Sequence, residues 1–209
     1  MNKGLFLSVE GIDGSGKTTT IGALDKRLVD EGYRTLLLRE PGGTAIGEDV
    51  RRILLDPRHA DMDPLCELLL FAAARAQLVA GVIRPALAAG MVVICDRFTD
   101  STLAYQGSGR GLDLDMIRRV NRIATGGLLP QRTLLLDLDP ELAACRLVGR
   151  EGAGPDRIDA ESRAFAERVR AGYLALAREE SDRIVTIAAD QPIPIVVDRM
   201  QEILREDLP

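Results

Sequence analysis

Lysine is nearly absent. Lys3, Lys17 and Lys26 are the only three, so almost all positive charge is carried by arginine. Arginine is the better bidentate partner for phosphate, but a codon bias gives the same count, so the count alone assigns nothing. Histidine occurs once, as His59 in the polar stretch Asp56, Pro57, Arg58, His59. It reads as a solvated loop residue, and no histidine is left for a catalytic dyad. Cys66, Cys95 and Cys145 are odd in number and far apart, so neither a disulfide framework nor a zinc site is suggested, and buried or partly buried free thiols in a reducing cytoplasm are expected. No continuous apolar run is long enough to span a bilayer, and no secretory or lipidation signal is seen. A net charge of −5 argues against a nucleic-acid backbone as the main partner. The expectation is a cytoplasmic protein with neither membrane nor nucleic acid as partner.

What is present is globular. With 209 residues, 46% hydrophobic and 28% charged, the chain is expected to form one domain, residues 1–209, with a sizeable core and no repeat or linker. Short apolar runs at 5–9, 35–38, 91–95, 133–138 and 184–188 read as strands, and segments of helical period separate them. Helices are expected at 18–31, 44–55, 64–89 with an interruption at Pro85, 101–105, 114–125, 140–148, 160–181 and 192–204. Gly107 to Gly111 reads as a loop. The alternation means an α/β fold: a five-stranded parallel sheet with helices on both faces. Ligands then belong at the carboxyl ends of the strands. Leu65, Leu68, Leu69, Leu70, Ala72, Ala73 and Ala76 leave one helix apolar around most of its circumference, which suggests a subunit interface.

Gly11, Ile12, Asp13, Gly14, Ser15, Gly16, Lys17 and Thr18 fit the GxxxxGK[ST] pattern without a mismatch, after a strand and before a helix. Glycine lets the backbone fold round a phosphate chain with its N–H groups turned inward. The helix N-terminus adds partial positive charge. Lys17 is placed to reach the β- and γ-phosphates of ATP, and the Thr18 hydroxyl to ligate Mg²⁺. Lys17 is expected to face solvent without nucleotide.

Other charged residues cluster at strand ends. Asp13 would be repelled by polyphosphate, so it should point away, towards a sugar hydroxyl or a metal-bound water; the plain alternative is a surface aspartate capping an amide. Asp96 ends the third strand, where a carboxylate helps hold Mg²⁺, and Arg97 beside it can clamp an acceptor phosphate. Arg39 to Thr44 alone reads as a turn. Residues 149–158, rich in glycine and flanked by Arg146, Arg150 and Arg157, suit a lid that excludes water from phosphoryl transfer.

Together these pieces resemble thymidylate kinase. The resemblance rests on residues 10–19, on Arg39, Glu40, Pro41, Gly42, Gly43 and Thr44, on Leu70, Phe71 and Arg75, on Asp96, Arg97, Phe98, Ser101 and Thr102, on Ala104, Tyr105, Gln106 and Gly107, and on Asp156, Arg157 and Ile158. It runs from Leu5 to about Pro192. It implies a P-loop nucleoside monophosphate kinase fold, a homodimer formed through long helices, and transfer of the ATP γ-phosphoryl to thymidine monophosphate with Mg²⁺. By resemblance, Phe71 stacks on thymine while Arg75, Thr102 and Gln106 contact the base. Tyr105 favours deoxyribose, Ser101 belongs to the same site, and Arg51 and Arg97 hold the acceptor phosphate. Arg146 would serve the ATP side, with Lys17, Asp13, Arg97, Arg150 and Arg157 as the catalytic set.

Gly14 stands where part of the family has an arginine, so this chain resembles the bacterial subgroup that takes its catalytic arginines from the lid. Rival readings are a kinase for another nucleoside monophosphate, a GTPase-type switch and a non-catalytic ATP-binding module. The second lacks the Asn-Lys-x-Asp guanine motif, and the third has no use for an arginine lid.

Overall fold

A computed structural model describes residues 4–148, 157–158 and 161–208, Val148 by its backbone only. Its strands are β1 (Leu5–Glu10), β2 (Thr35–Arg39), β3 (Val92–Asp96), β4 (Arg132–Asp137) and β5 (Ile184–Ala188). They form one parallel sheet in the order β2-β3-β1-β4-β5. β1 is buried at every position, as a central strand must be. Its side chains alternate between two cores. Leu5, Leu7 and Val9 join Ile21, Leu24 and Leu28 of helix α1 (Lys17–Asp30), whereas Phe6 packs with Leu78, Val79, Ile83, Ala86 and Phe98. Both faces are therefore covered. β1 lies between β3 and β4, so its carboxyl end is the switch point of the sheet, where a crevice opens. The phosphate loop leaves the sheet there.

Local chemistry sets the helix ends. Thr44 caps α2 (Ala45–Leu55) by accepting from the Gly47 amide, and Asp63 caps α3 (Pro64–Leu78) with Pro64 in the first turn. α3 does not stop at Leu78. It widens into a π-helical turn, Val79–Ile83, and continues as α4 (Arg84–Ala88). Pro85 explains the widening: it has no amide to donate and crowds the carbonyl four residues back, and the Arg84 amide reaches Val79 O instead. α5 (Thr99–Thr102) likewise runs into a π-helical turn, Leu103–Gly109. The chain there is helical where the sequence suggested a loop from Gly107. The remaining helices are α6 (Leu114–Thr125), α7 (Pro140–Val148), α8 (Arg163–Glu179) and α9 (Ile193–Leu204).

Three expectations change. The helical stretch Pro64–Ala88 has 25 residues and is long and apolar enough to cross a membrane by length and composition, with under half of its most apolar part buried inside the fold. The cysteines are free, but Cys66 and Cys145 are exposed and only Cys95 is buried. His59 is not merely solvated: Nδ1 lies 3.0 Å from Ile53 O. The apolar girth of α3 is only partly used within the chain, since Leu69 remains 51% exposed.

A buried polar clamp ties the sheet to α5. The Arg183 guanidinium reaches both oxygens of Asp100 at 2.8 Å, Thr133 Oγ1 donates to Asp100 Oδ2 at 2.8 Å, and Ser8 Oγ lies 2.9 Å from Thr133 Oγ1. Asp100 is almost fully buried, so removing its cation leaves an uncompensated charge. Arg183→Leu is expected to lower unfolding stability by about 3 kcal/mol in urea titration, and adding Asp100→Asn should recover part of the loss. A change of less than about 0.5 kcal/mol in the single variant would show that the pair is not under strain from burial.

Candidate active site

The phosphate loop is built from backbone geometry. Gly11, Gly14 and Gly16 all have positive φ, and Gly16 enters α1 with no side-chain cap, which leaves the first-turn amides for a ligand. Gly14 is required for space as well as for its φ of +82°. A β-carbon there would stand 2.5 Å from Ala143 O in α7. An arginine at that position cannot be accommodated with α7 where it is.

Lys17 does not face solvent as expected. It is 7% exposed, and its Nζ donates to Gly11 O at 3.0 Å and Ile12 O at 2.9 Å. The two loop carbonyls lie within its reach and accept from it alongside Arg97 Nη1 on Gly11 O and the Ser15 amide on Ile12 O. Burial and, next, the neighbouring Arg97 charge push the Lys17 pKa down to about 8.

Two clefts meet beside this lysine. One is lined by Gly14, Gly16, Lys17, Thr18, Asp96 and the β2 end. The other is lined by Phe71, Arg75, Ser101, Thr102, Tyr105 and Gln106, with Leu55 and Ile158. Asp13, Glu40, Arg51 and Arg97 line both. Every residue expected on the acceptor side therefore lies on a single cavity, and a shared wall separates it from the loop.

Arg97 is the centre of that wall. It follows β3 with φ +72°, left-handed for a residue that has a β-carbon. Nη2 donates to Asp13 Oδ1 at 2.7 Å and Tyr105 Oη at 3.0 Å; Nη1 donates to Gly11 O at 2.9 Å, and Ser101 Oγ and Tyr173 Oη at 3.2 Å. Tyr105 Oη donates to Asp13 Oδ2 at 2.9 Å. Burial opposes the Asp13 charge, but Arg97 and Lys17 outweigh it and hold the carboxyl well below its ordinary range. Asp13 thus faces Arg97 and Tyr105 and does not cap an amide.

Behind Arg97 lies Glu10. It accepts from the Phe98 amide at 2.7 Å, Ser101 Oγ at 2.6 Å and Tyr173 Oη at 2.9 Å. Burial first, and Asp100 second, raise its pKa to about 7. Arg75 is buried too, with Nε on Glu40 Oε2 at 2.8 Å, Nη1 on Asn121 Oδ1 at 2.8 Å and Nη2 on Phe98 O at 3.1 Å. Glu40, which the sequence left in a turn, is thus a buried counter-ion. An acid at the end of an apolar strand, or beside a strand end, was the available signal for Glu10 and Glu40.

The residues present fit a small, hard cation. Thr18 Oγ1 lies 3.5 Å from Asp96 Oδ2, and Asp96 Oδ1 is buried with no hydrogen-bond partner. Among the described residues no cluster of three His, Cys, Asp or Glu groups could hold a metal, so phosphate and water oxygens would complete the shell. On the far side of the loop, Arg146 donates to Ala189 O at 3.1 Å and lines a cleft with Ser15, Gly16, Asp190 and Pro192. The segment after β5 carries no motif of its own in the sequence, although it follows a strand's carboxyl end.

Arg150, and most of the expected lid at 149–158, lies outside the described residues. Arg157 is described, and it does not swing over the loop. It is buried, with Nε on Leu54 O at 2.8 Å and Nη2 on Glu67, a carboxylate inside α3.

The family model for thymidylate kinase matches residues 9–200. Among similar proteins, a thymidylate kinase of an Exiguobacterium species is 47% identical over 205 residues, covering 98% of this chain and 96% of the relative. One from a Synechococcus species is 52% identical over 206 residues, with 98% and 96% covered. One from Syntrophotalea carbinolica is 50% identical over 199 residues, with 93% and 92% covered.

The depressed Lys17 pKa has a thermodynamic consequence. An anion in the loop favours the charged lysine, so binding takes up protons near pH 8. ATP affinity should fall as pH rises through about 8, and calorimetry in two buffers of different ionisation heat should show net proton uptake there. Flat affinity between about pH 7 and 9 with no uptake would contradict it.

Proposed function

The chain belongs to the thymidylate kinase family, and from that premise we propose how its residues divide the work. The reaction transfers the γ-phosphoryl of ATP to thymidine monophosphate, giving thymidine diphosphate and ADP, a step of nucleotide biosynthesis. The observation that carries the assignment of residues is the shared wall of Asp13, Arg51 and Arg97 between the loop cleft and the acceptor cavity. In this arrangement donor and acceptor phosphates approach each other across that wall, which is the geometry of an in-line transfer held by cations.

Residues 11–18 and Arg146 bind ATP. Lys17 leaves the two carbonyls for the phosphates, and the loop amides and α1 N-terminus complete the cradle. Thr18 and Asp96 would hold Mg²⁺, which when bound neutralises phosphate charge. Phe71 stacks on thymine, Arg75, Thr102 and Gln106 read its edge, and Ser101 and Tyr105 border the sugar. Arg51 and Arg97 hold the acceptor phosphate, and Asp13 keeps Arg97 in place. Arg150 supplies lid charge, while the buried seat of Arg157 suits an anchor for the lid better than a mobile cation.

We place the protein in the cytoplasm as a homodimer. The exposed Leu65 and Leu69 on α3 and Ile123 on α6, which is 82% exposed, support an interface on that side. Neither nucleic acid nor membrane is proposed as a partner.

Substrate choice is tested with specificity constants for the four deoxynucleoside monophosphates. Thymidylate should exceed deoxycytidylate by roughly ten- to a hundredfold, because Arg75 donates to a carbonyl at position 4 and meets an amino group in cytosine. Equal constants would overturn the substrate reading. Lys17→Ala should lower kcat by about a thousandfold in a protein that still folds; a folded variant with native turnover would remove the loop from the mechanism.

A further inference from the structure

Two charged residues interrupt the apolar helix α3 between Pro64 and Leu78: Arg75, on the acceptor cavity, and Glu67. Glu67 is 1% exposed, yet its carboxylate is the meeting point of three segments. Oε1 accepts from Gln106 Nε2 at 2.7 Å and Arg110 Nε at 3.2 Å; Oε2 accepts from Arg110 Nη2 at 3.1 Å and from Arg157 Nη2. Burial opposes its charge, but the donors from Arg110, Gln106 and Arg157 outweigh that and hold its pKa below the ordinary value. At neutral pH it is therefore an acceptor only.

That fixes the neighbouring amide. A glutamine side chain has one donor end and one acceptor end, and its orientation follows from its partners. With an ionised carboxylate claiming Nε2, the Gln106 oxygen is left for the other side. It accepts no hydrogen bond among the described residues, and Gln106 lines the acceptor cavity with Arg75 and Thr102. We infer that Glu67 is a positioning residue for pyrimidine recognition, locking the Gln106 amide with its oxygen towards the cavity. An oxygen there pairs with the N–H at ring position 3 of thymine and repels the lone pair at the same position of cytosine. The same carboxylate pins Arg157, and Ile158 beside it forms part of the cavity wall, so base edge and lid anchor share one support. The inference rests on the reading of Gln106 as a base contact.

Glu67→Gln frees the amide, because a neutral partner can receive either end of Gln106. The ratio of specificity constants for thymidylate over deoxycytidylate should fall about tenfold or more, through the KM values of the two acceptors. Glu67→Asp is the second variant. It keeps the charge that Arg110 and Arg157 need but draws the oxygen back from Gln106, so it should lower the same ratio, and it reports if Glu67→Gln does not fold. Gln106→Leu should also lower the ratio, and adding Glu67→Gln to it should lower it no further. A native ratio in the Glu67 variants together with a lowered one in Gln106→Leu would overturn the positioning role and leave the base contact standing. A native ratio in Gln106→Leu would overturn both.

Discussion

Everything at the carboxyl edge of the sheet depends on keeping one guanidinium charged, buried and correctly aimed. Arg97 sits where β3 ends, with a left-handed backbone that costs about 1–2 kcal/mol for a residue bearing a β-carbon. Two bonds hold it there: its own amide reaches Val9 O at 3.1 Å, and the next amide, Phe98, reaches Glu10 at 2.7 Å. Both partners lie on β1. The strand that launches the phosphate loop therefore also fixes the cation on the wall between the two clefts. Asp13, inside the loop, supplies the opposite charge, so the loop, the strand end and the acceptor wall cannot move independently.

The charge balance around Arg97 explains otherwise awkward residues. A buried Glu10 with a pKa near 7 is costly alone, but it receives an amide, a serine hydroxyl and a tyrosine hydroxyl. Tyr105 joins Asp13 to Arg97 and also borders the cavity, so a residue read as a filter for the sugar is also part of the electrostatic frame. Glu40 does for Arg75 what Asp13 does for Arg97. In each case an arginine on the cavity is held by a carboxylate beside it. Such pairs limit rotamer freedom before any ligand arrives, and preorganised charge is what phosphoryl transfer demands.

The sheet and the loop were legible because their signals are local. Apolar runs of strand length and the glycines at 11, 14 and 16 each act over a few residues, and the strands expected from them lie within a residue or two of those observed. The grouping of Phe71, Thr102 and Gln106 on one cavity was legible only through resemblance, since nothing local in those residues marks a shared site. What escaped were the long-range partners. Glu67 lies in an apolar helix and meets Gln106 39 positions away; no spacing rule spans that distance. Arg157 looked like a free lid cation because its glycine-rich neighbourhood hid a buried seat. The π-helical turn after Thr102 was missed because Gly107 and Gly109 resemble loop residues. The structure uses them for close packing instead, and a β-carbon on Gly109 would meet the Phe165 ring at 2.7 Å.

The placement of Arg97 on the acceptor phosphate is the claim on which the rest turns, and the affinity added by that phosphate tests it most directly. Binding of thymidine and of thymidine monophosphate should be measured by calorimetry in the native protein and in Arg97→Ala. The expected result is that the gain in affinity on adding the phosphate, taken against thymidine in the same protein, shrinks by about tenfold or more in the variant. An undiminished gain in a folded variant would contradict the placement.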